Sequence, residues 1–489
     1  MDGLLCDELL YEIIQRLPPS SFAAVFLVCK RWLSAIRACT TNLSLSIPHL
    51  SLQHLSLPSP SLSKILSHYP NLSSLTILSN PFDDHGADAL LLSVAAAPCA
   101  SRLIQLRFVS LTSPVSSSAL LSSSASLKNL TNLRLSIIFP LSFSWLSSFP
   151  SIKSLSFVFF PKSPTVLGAC DVEGEDSVDL AEDYKNSSIV TLPLERLSIS
   201  GVRAGDLGMS WIWQRCGNLR RLRLRACEGT GDGTSSPYFT LCLASLLVLE
   251  LRGCRAIADR VLLRAADHCH DLTSLLIYDG GSSDALHYFI SRRAASLNTI
   301  DLRLPLDLHN DHLSAIASVG KSNSPCLTTL RLQSCCLVTG DGLRAVGRAE
   351  SGKAIEELAL VNCDVLEREP GLLSFLGQSL PRLRRLDLSY NETLGDKELV
   401  AMLSSCASLV DIKLRGCSCL TDSLVVWLIE CGRLRLEIAD LSRCPGISVH
   451  GIEIFILNSS ILSCVSVENE KISEIAMAMA SRRKIQIGD

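Results

Sequence analysis

A repeated pattern of apolar residues constrains the fold of this chain more than any other feature. The pattern apolar-x-x-apolar-x-apolar recurs from about residue 65 to residue 470, for example as Leu219/Leu222/Leu224. From residue 197 onward, successive copies lie 25 to 30 residues apart. One such unit cannot cover its own apolar face, so the many copies predict units that stack on one another. The middle apolar positions of the series are Leu75, Leu106, Leu133, Leu155, Leu197, Leu222, Leu249, Leu275, Ile300, Leu330, Leu358, Leu386, Ile412, Ala439 and Val465.

Each copy of the pattern predicts one short strand, because apolar residues two positions apart face the same side of a strand. A turn and a helix follow, and stacking then places the strands side by side in one parallel sheet. Three residues beyond the last apolar position, several units carry a small residue where the chain turns inward after the strand. These residues are Cys227, Cys254, Cys335, Cys363, Cys417 and Cys444, with Asn391 in the same place once.

The chain has 489 residues and twenty cysteines, so the redox environment matters. The first residues are acidic where a secretory signal would be basic, and no long apolar segment follows them. No run of about 18 apolar residues that would span a bilayer is apparent. We therefore expect a cytoplasmic or nuclear protein with reduced thiols. The net charge of −3 gives no reason to expect nucleic acid or an anionic membrane as a partner.

The N-terminal segment differs from the repeats. Apolar residues at helical spacing around Leu10 predict a first helix, with Asp7 as its cap, and Pro18-Pro19 ends it. A second short helix is expected over 22–27 and a third over 30–37. About 40 residues is near the lower size limit for an independent core, so surplus apolar surface here needs a partner.

This segment resembles an F-box, the motif that docks onto the Skp-family adaptor of cullin-based ubiquitin ligases. The residues that carry the likeness are Leu5, Glu8-Leu9-Leu10, Ile13, Leu17, Pro18 and Val28-Cys29-Lys30-Arg31-Trp32. One position departs from the family, because Cys6 stands where the family usually has proline. The resemblance implies that the adaptor contacts Leu5, Leu9, Leu10, Ile13, Leu17, Pro18, Val28 and Trp32. The alternative is a helical cap on the end of the solenoid, although such a cap should present a polar outer face.

The repeats resemble the cysteine-containing leucine-rich repeats found behind F-boxes. This resemblance implies an α/β fold: a three-helix F-box followed by a right-handed solenoid, or horseshoe, with a parallel concave sheet and convex helices. We expect the F-box at 1–40, a linker or irregular first repeat at 41–64, and the solenoid at 65–489. Between Leu155 and Leu197 the spacing widens to 42 residues, which predicts an acidic disordered insertion at about 161–191. It is either a solvated loop or a segment that docks a partner.

Metal binding and catalysis find no support in the sequence. The cysteines lack the paired CxxC spacing of a tetrahedral zinc site, and Cys269 in His268-Cys269-His270 occupies a recurring position near a helix end. No GxSxG or HExxH motif occurs. We expect no metal, no catalytic residue and no cofactor.

Arginines recur at outward-facing strand positions of the central and late repeats. One explanation is lateral pairing with acids on the same or adjacent strands, for example Arg252 with Glu250 or Asp301. The other is binding of an acidic or phosphorylated target segment through charge-assisted hydrogen bonds. The arginines left without an evident acid, and therefore the expected target-binding residues, are Arg223, Arg225, Arg331 and Arg415.

The expected function is that of a non-catalytic substrate receptor, which binds the Skp-family adaptor, and through it cullin and RING subunits, and holds a target protein for ubiquitination. Two alternatives remain. Some plant F-box repeat proteins use the horseshoe as a hormone pocket with an inositol polyphosphate beneath it, but the regular spacing from 222 to 465 leaves little room for the long loops of those relatives. A scaffold or GTPase-regulating solenoid would share the repeat but not the VCKRW run.

Overall fold

The computed structural model describes most of the chain. It covers residues 6–17, 22–47, 60–79, 86–110, 114–137, 143–159, 191–203, 209–230, 236–304, 307–318, 327–431 and 435–488. Two compact units divide the chain, residues 1–242 and residues 243–489. The acidic insertion lies outside the described residues, apart from Thr191 at its end.

The first unit opens with three short helices and continues with strands and helices in alternation. Its strands are β1 (Asn42–Ile47), β2 (Ser74–Ser79), β3 (Gln105–Ser110), β4 (Asn132–Ile137), β5 (Ser154–Phe159), β6 (Arg196–Ser200) and β7 (Arg221–Arg225). Its helices are α1 (Asp7–Arg16), α2 (Phe22–Val25), α3 (Lys30–Cys39), α4 (Pro60–Ser67), α5 (Gly86–Ala95), α6 (Ser117–Ser124) and α7 (Met209–Arg215). The next helix, α8 (Ser236–Leu243), contains the boundary between the units.

The second unit has the same alternation. Its strands are β8 (Val248–Arg252), β9 (Ser274–Tyr278), β10 (Thr299–Arg303), β11 (Thr329–Gln333), β12 (Glu357–Val361), β13 (Arg385–Asp387), β14 (Asp411–Lys413), β15 (Ile438–Asp440), β16 (Cys464–Ser466) and β17 (Gln486–Gly488). Its helices are α9 (Arg255–His268), α10 (Ser283–Arg293), α11 (Asn310–Ser318), α12 (Gly340–Arg348), α13 (Val365–Arg368), α14 (Leu372–Ser379), α15 (Asp396–Leu403), α16 (Asp422–Glu430), α17 (Val449–Asn458) and α18 (Glu474–Arg483).

The core of each unit is a set of aligned apolar columns. Neighbouring strands are parallel, and their register pairs the middle apolar residue of one repeat with that of the next, as in Leu106 with Leu133 and Leu330 with Leu358. These side chains are almost fully buried. The predicted α/β architecture of parallel strands with helices is therefore confirmed, and each repeat buries its apolar face against its neighbours.

The N-terminal helices differ from the sequence prediction in detail. The first helix begins at Asp7, so Cys6 occupies the N-cap position, without a side-chain hydrogen bond. The second helix ends at Val25 and gives way to a turn over 26–28, whereas the third extends to Cys39. Glu8, in the first turn of α1, still favours this helix, because its negative charge lies near the positive end of the helix dipole.

The turn after each strand has a common geometry that explains the cysteine positions. In seven repeats the residue directly before the cysteine or asparagine has a positive φ. These residues are Ala226, Gly253, Ser334, Asn362, Tyr390, Gly416 and Arg443, with φ between 46° and 73°. The amide of Gly416 still donates to the Ser442 carbonyl at 2.9 Å, so this residue extends the strand ladder while the chain turns inward.

The residue that follows is then directed beneath the preceding strand. The Cys417 thiol lies 3.2 Å from the Leu388 carbonyl, and the Cys444 thiol lies 3.0 Å from the Leu414 carbonyl. Burial raises the pKa of the Cys417 thiol to about 12, so it stays protonated and can donate. The cysteines in these turns are therefore small packing residues with a weak donor.

Asn391 makes the same turn with stronger hydrogen bonds. Its Oδ1 accepts from the amide of Cys363 at 2.9 Å, and its Nδ2 donates to the carbonyls of Leu360 and Leu388 at 2.8 and 2.7 Å. All of these groups are buried, so they have no direct contact with bulk water.

We expect Asn391→Ala to lower the free energy of unfolding by roughly 2–4 kcal/mol, because it leaves buried backbone groups without partners. Asn391→Cys should lose less, because the other repeats use cysteine in this place. Urea denaturation followed by circular dichroism measures both. An equal loss in the two variants would contradict this account of the turn.

Candidate functional site

The first candidate surface is the N-terminal helical segment, which has its own small core. Leu10 and Ile14, one turn apart on α1, are each 1% exposed and pack with Ala35 and Ile36 of α3. Val25, Trp32 and Cys39 pack against this cluster and are partly buried. The segment therefore closes a core without help from a partner.

A second apolar stripe on α1 stays in solvent. Leu9 and Ile13, also one turn apart, are 51% and 37% exposed. The turn after α2 adds Phe26, Leu27 and Val28, of which Leu27 is 86% exposed. We call these five residues the exposed apolar set. Large apolar side chains gathered in one short segment are typical of an interaction surface, since single exposed apolar residues would be scattered.

The structure divides the residues expected to contact the adaptor. Leu9, Ile13 and Val28 belong to the exposed apolar set, while Leu17 and Trp32 are half-buried. The expectation for Leu10 needs correction: its side chain lies in the helical core, where it supports α1 and presents no surface to a partner. Leu5 and Pro18 lie outside the described residues.

Two exposed residues, Phe26 and Leu27, were missed by the sequence prediction. The sequence did contain a signal for them. Phe26, Leu27 and Val28 are consecutive large apolar residues, and three such residues cannot all face one side of a short helix. In the structure these side chains are exposed because α2 ends at Val25 and the turn that follows directs them away from the core.

The helical segment is fixed to the first repeat by hydrogen bonds. The Asn71 side-chain amide donates to the carbonyl of Ala38 in α3 at 2.9 Å. Just beyond α3, the carbonyl of Thr41 accepts from the amides of Ser73 and Ser74, each at 2.9 Å. The last turn of α3 thus joins the start of the sheet directly.

The second candidate surface is the side of the sheet that faces away from the core, which we call the outer face. In the first unit, one row across the strands contains Arg107, Arg134, Ser156, Ser198 and Arg223, in register on β3 to β7. Further arginines lie in the flanking rows, and together they line a recess of about 430 Å³. The arginines of this arginine recess are Arg107, Arg134, Arg196, Arg221, Arg223 and Arg225.

Positive charge dominates the described lining of the arginine recess. Burial lowers the pKa of Arg134, and the charges of Arg107, Arg225 and Arg223 lower it further. The Nε atoms of Arg107 and Arg134 are buried and have no hydrogen-bond partner among the described residues. No Asp or Glu is among the described residues that line the recess. Glu195, which directly precedes β6, is paired with Lys153 at 3.5 Å.

The outer face of the second unit is different, because acids accompany its arginines. Arg252 pairs with Glu250, and Arg303 binds Asp301 with two hydrogen bonds of 2.8 Å. The bond to Asp301 is the main reason that the pKa of Arg303 is raised. Both of these arginines thus pair with an acid on their own strand.

The expectation that Arg331 lacks an acid is wrong, because Arg331 pairs with the buried carboxylate of Glu357 on the next strand. Glu357 also accepts a hydrogen bond from Arg385 at 2.7 Å. Arg415 lies in a recess of about 260 Å³ that includes three aspartates, and its Nε is buried without a partner among the described residues. Arg223 and Arg225, in contrast, line the arginine recess of the first unit.

The sequence contained the signal for the missed residues. Outward positions of a strand alternate with the apolar ones, so the residue before the second apolar position also faces outward. That position holds Glu357, Arg196 and Arg221. Arg107 and Arg134 lie between the second and third apolar positions of early repeats, a place that the sequence analysis considered only in the central and late repeats.

Metal sites and membrane spans are absent from the described part of the chain. No group of three or more His, Cys, Asp or Glu residues there could hold a metal ion. Cys269, in the His268-Cys269-His270 run, is buried, and burial raises the pKa of its thiol to about 12. No helix that the structure describes is long and apolar enough to cross a bilayer.

Comparison with known proteins gives two family matches. The model of the F-box domain matches residues 4–42, and the model of the Leucine Rich repeat matches residues 323–347 and 380–402. Among solved structures, the Rad7 and Elc1 complex in yeast covers 96% of this chain and 90% of its own, with 13% identity and a TM-score of 0.39. An internalin (inlF) from Listeria monocytogenes covers 89% and 94%, with 15% identity and a TM-score of 0.36.

We expect Glu357→Gln to lower the free energy of unfolding by roughly 1–3 kcal/mol, because it leaves Arg331 and Arg385 without their shared charge. Asp341→Asn is the matched control, since this carboxylate is 87% exposed and lies 3.6 Å from Arg344. Its removal should have little effect. Chemical denaturation of both variants tests the difference, and equal stability of the two would contradict it.

Proposed function

This chain carries an F-box domain at its N-terminus followed by leucine-rich repeats, and from this premise we propose that it is the substrate receptor of a Skp–cullin–F-box ubiquitin ligase. F-box domains bind Skp-type adaptors. The repeats would hold the target protein, and associated subunits would transfer ubiquitin.

The exposed apolar set is the observation that carries this proposal. Leu10 and Ile14 already close the helical core, so Leu9, Ile13, Phe26, Leu27 and Val28 are left for another molecule. Full burial of one such side chain contributes about 1.5–3 kcal/mol, so several together would supply the energy of a stable complex. A solenoid cap, the alternative, should present polar side chains outward.

The attachment of the F-box to the first repeat supports a role in positioning. The hydrogen bonds from Asn71 to Ala38 and from Ser73 to Thr41 restrict rotation between α3 and the sheet. A target held on the sheet would therefore keep a defined distance from the adaptor. Fixing two reactants in this way raises their effective concentration, and this contribution requires no catalytic residue in the chain.

The outer face supports the proposal that the repeats bind the target. Its positions have fixed spacing along and between the strands, which suits recognition of an extended segment. The first unit offers positive charge and the second offers alternating charges. This distribution of charges would determine which target protein binds.

We expect Leu9→Asp with Leu27→Asp to weaken binding to a Skp-family adaptor by about 100-fold or more, because each change places a charge in an apolar contact. Leu92→Asp with Leu121→Asp is the matched control, since both leucines are also exposed, at 42% and 47%, on helices α5 and α6 outside the F-box. Co-purification and surface plasmon resonance with the adaptor measure the effect.

The circular dichroism spectrum of the Leu9/Leu27 variant should match that of the wild type, because neither side chain lies in the core. Adaptor binding that survives in this folded variant would refute the docking surface. Equal loss in the control pair would point to a general effect of added charge.

We also expect the Leu9/Leu27 variant to retain more target protein in cells than the wild type does. The variant would hold the target without delivering it for ubiquitination. Affinity purification with and without a proteasome inhibitor, followed by mass spectrometry, compares the two proteins. The expected targets meet two conditions. They co-purify with the wild type only when the inhibitor is present, and they co-purify with the variant even when it is absent. A variant that captures nothing beyond the wild type would contradict the proposal.

A further inference from the structure

The helix α18 (Glu474–Arg483) packs differently from the helices of the three repeats before it. In α15, α16 and α17 the fourth residue after the N-cap is fully buried, whereas the corresponding Met477 of α18 is 44% exposed. The buried residues at this position are Leu399, Val425 and Ile452. The side of the helix that is covered in the earlier repeats is therefore open on α18.

The strand of the same repeat is open as well. β17 is parallel to β16, and the register places Ile487 beside Val465. Val465 is fully buried, whereas Ile487 is only half-buried, and no described strand is in register with the other edge of β17. An edge strand offers unpaired amide and carbonyl groups to another strand, and natural proteins usually protect such edges. We call Met477 and the free edge of β17 the open end face.

The charges of α18 complement a reversed copy of the same helix. Glu474 lies in the first turn, and Arg482 and Arg483 lie in the last turn. Arg483 donates to the carbonyls of Ile456 and Ser459, whereas Glu474 and Arg482 are exposed and have no ion pair within the described chain. Spacings of three and four residues place an exposed set on one side of the helix, namely Glu474, Met477, Ala478, Ser481 and Arg482.

We propose that the open end face pairs with the same face of a second copy of this chain through a two-fold axis. An axis perpendicular to the strands, passing through the helix layer and the strand layer, reverses both elements together. It places α18 antiparallel to α18 of the second copy, and the free edges of the two β17 strands meet antiparallel. Glu474 of each copy then lies near Arg482 of the other, as a two-fold interface requires of a self-complementary patch.

A second copy fits this face better than an unrelated extended chain does. An added strand would satisfy the edge of β17 alone, whereas Met477 belongs to the helix layer and needs a helix beside it. A copy of the same repeat supplies both elements, stacked as neighbouring repeats already are. The contact involves one helix and one strand from each copy, so it is small, and we expect a dissociation constant of roughly micromolar size.

Sedimentation velocity of the full chain from about 1 to about 100 µM tests the pairing, because the wild type should pass from monomer to dimer over this range. Met477→Asp should raise the dissociation constant at least about tenfold, because it brings a charge into an apolar contact. Leu263→Asp is the matched control, since Leu263 is 42% exposed and lies on α9. A wild type that stays monomeric, or an unchanged dimer in folded Met477→Asp, would overturn the proposal.

Exchange of the two charges tests the antiparallel arrangement and does not depend on the Met477 variant. Glu474→Arg alone and Arg482→Glu alone should each weaken self-association about threefold or more, because each places like charges together. A mixture of these two variants should associate more tightly than either variant by itself, since every charged contact in the mixed dimer again joins an acid and a base. A mixture that associates no better than the separate variants would overturn this arrangement.

The exposed apolar set of the F-box is the other surface through which copies could associate. The variant with Leu9→Asp and Leu27→Asp should therefore dimerise as the wild type does. Loss of self-association in that variant, with an unchanged dimer in Met477→Asp, would move the contact to the first unit and overturn the proposal. Met477→Asp should still co-purify with the Skp-family adaptor, so a failure here leaves the adaptor role separately measurable.

Discussion

The alignment of apolar residues from strand to strand is the interaction on which the rest of each unit depends. Parallel register places Leu106 beside Leu133 and Leu330 beside Leu358, and every repeat adds one more layer to the buried column. The residue with positive φ after the strand extends the ladder before the chain turns inward. Because the interior fixes the strands, it also fixes where each outward side chain stands.

The outer faces of the two units follow different electrostatic rules on the same scaffold. In the second unit, arginines on β8, β10, β11 and β13 meet carboxylates, and Glu357 is shared by Arg331 and Arg385. That arrangement satisfies the buried charges within the protein. In the first unit, Arg107 and Arg134 stand side by side, and burial together with the charges of neighbouring arginines lowers the pKa of Arg134. Strands β2 to β7 carry no Asp or Glu, so the pairing within the sheet that the second unit shows is not available to these arginines.

The sequence was sufficient to predict the repeat, the strand positions and the presence of the N-terminal F-box, because these follow from periodicity and from a local motif. It was not sufficient to divide the apolar residues of α1 between core and surface. Leu9, Leu10, Ile13 and Ile14 form two adjacent stripes with the same composition, and only the position of α3 decides that Leu10 and Ile14 are covered. In the same way, the partner of Arg331 became clear only from the register of β11 with β12. The domain boundaries proposed from the sequence, and the role of the acidic insertion, stay predictions.

The first unit combines both proposed binding surfaces on one hydrogen-bonded body. Thr41 joins α3 to the strand β1, and β3, where the arginine recess begins, is only two strands away from β1. A target segment held on the outer face at β3 would therefore lie on a part of the sheet that is tied directly to the F-box. Short, rigid connections keep the effective concentration of a bound target high, whereas a longer path would let it vary.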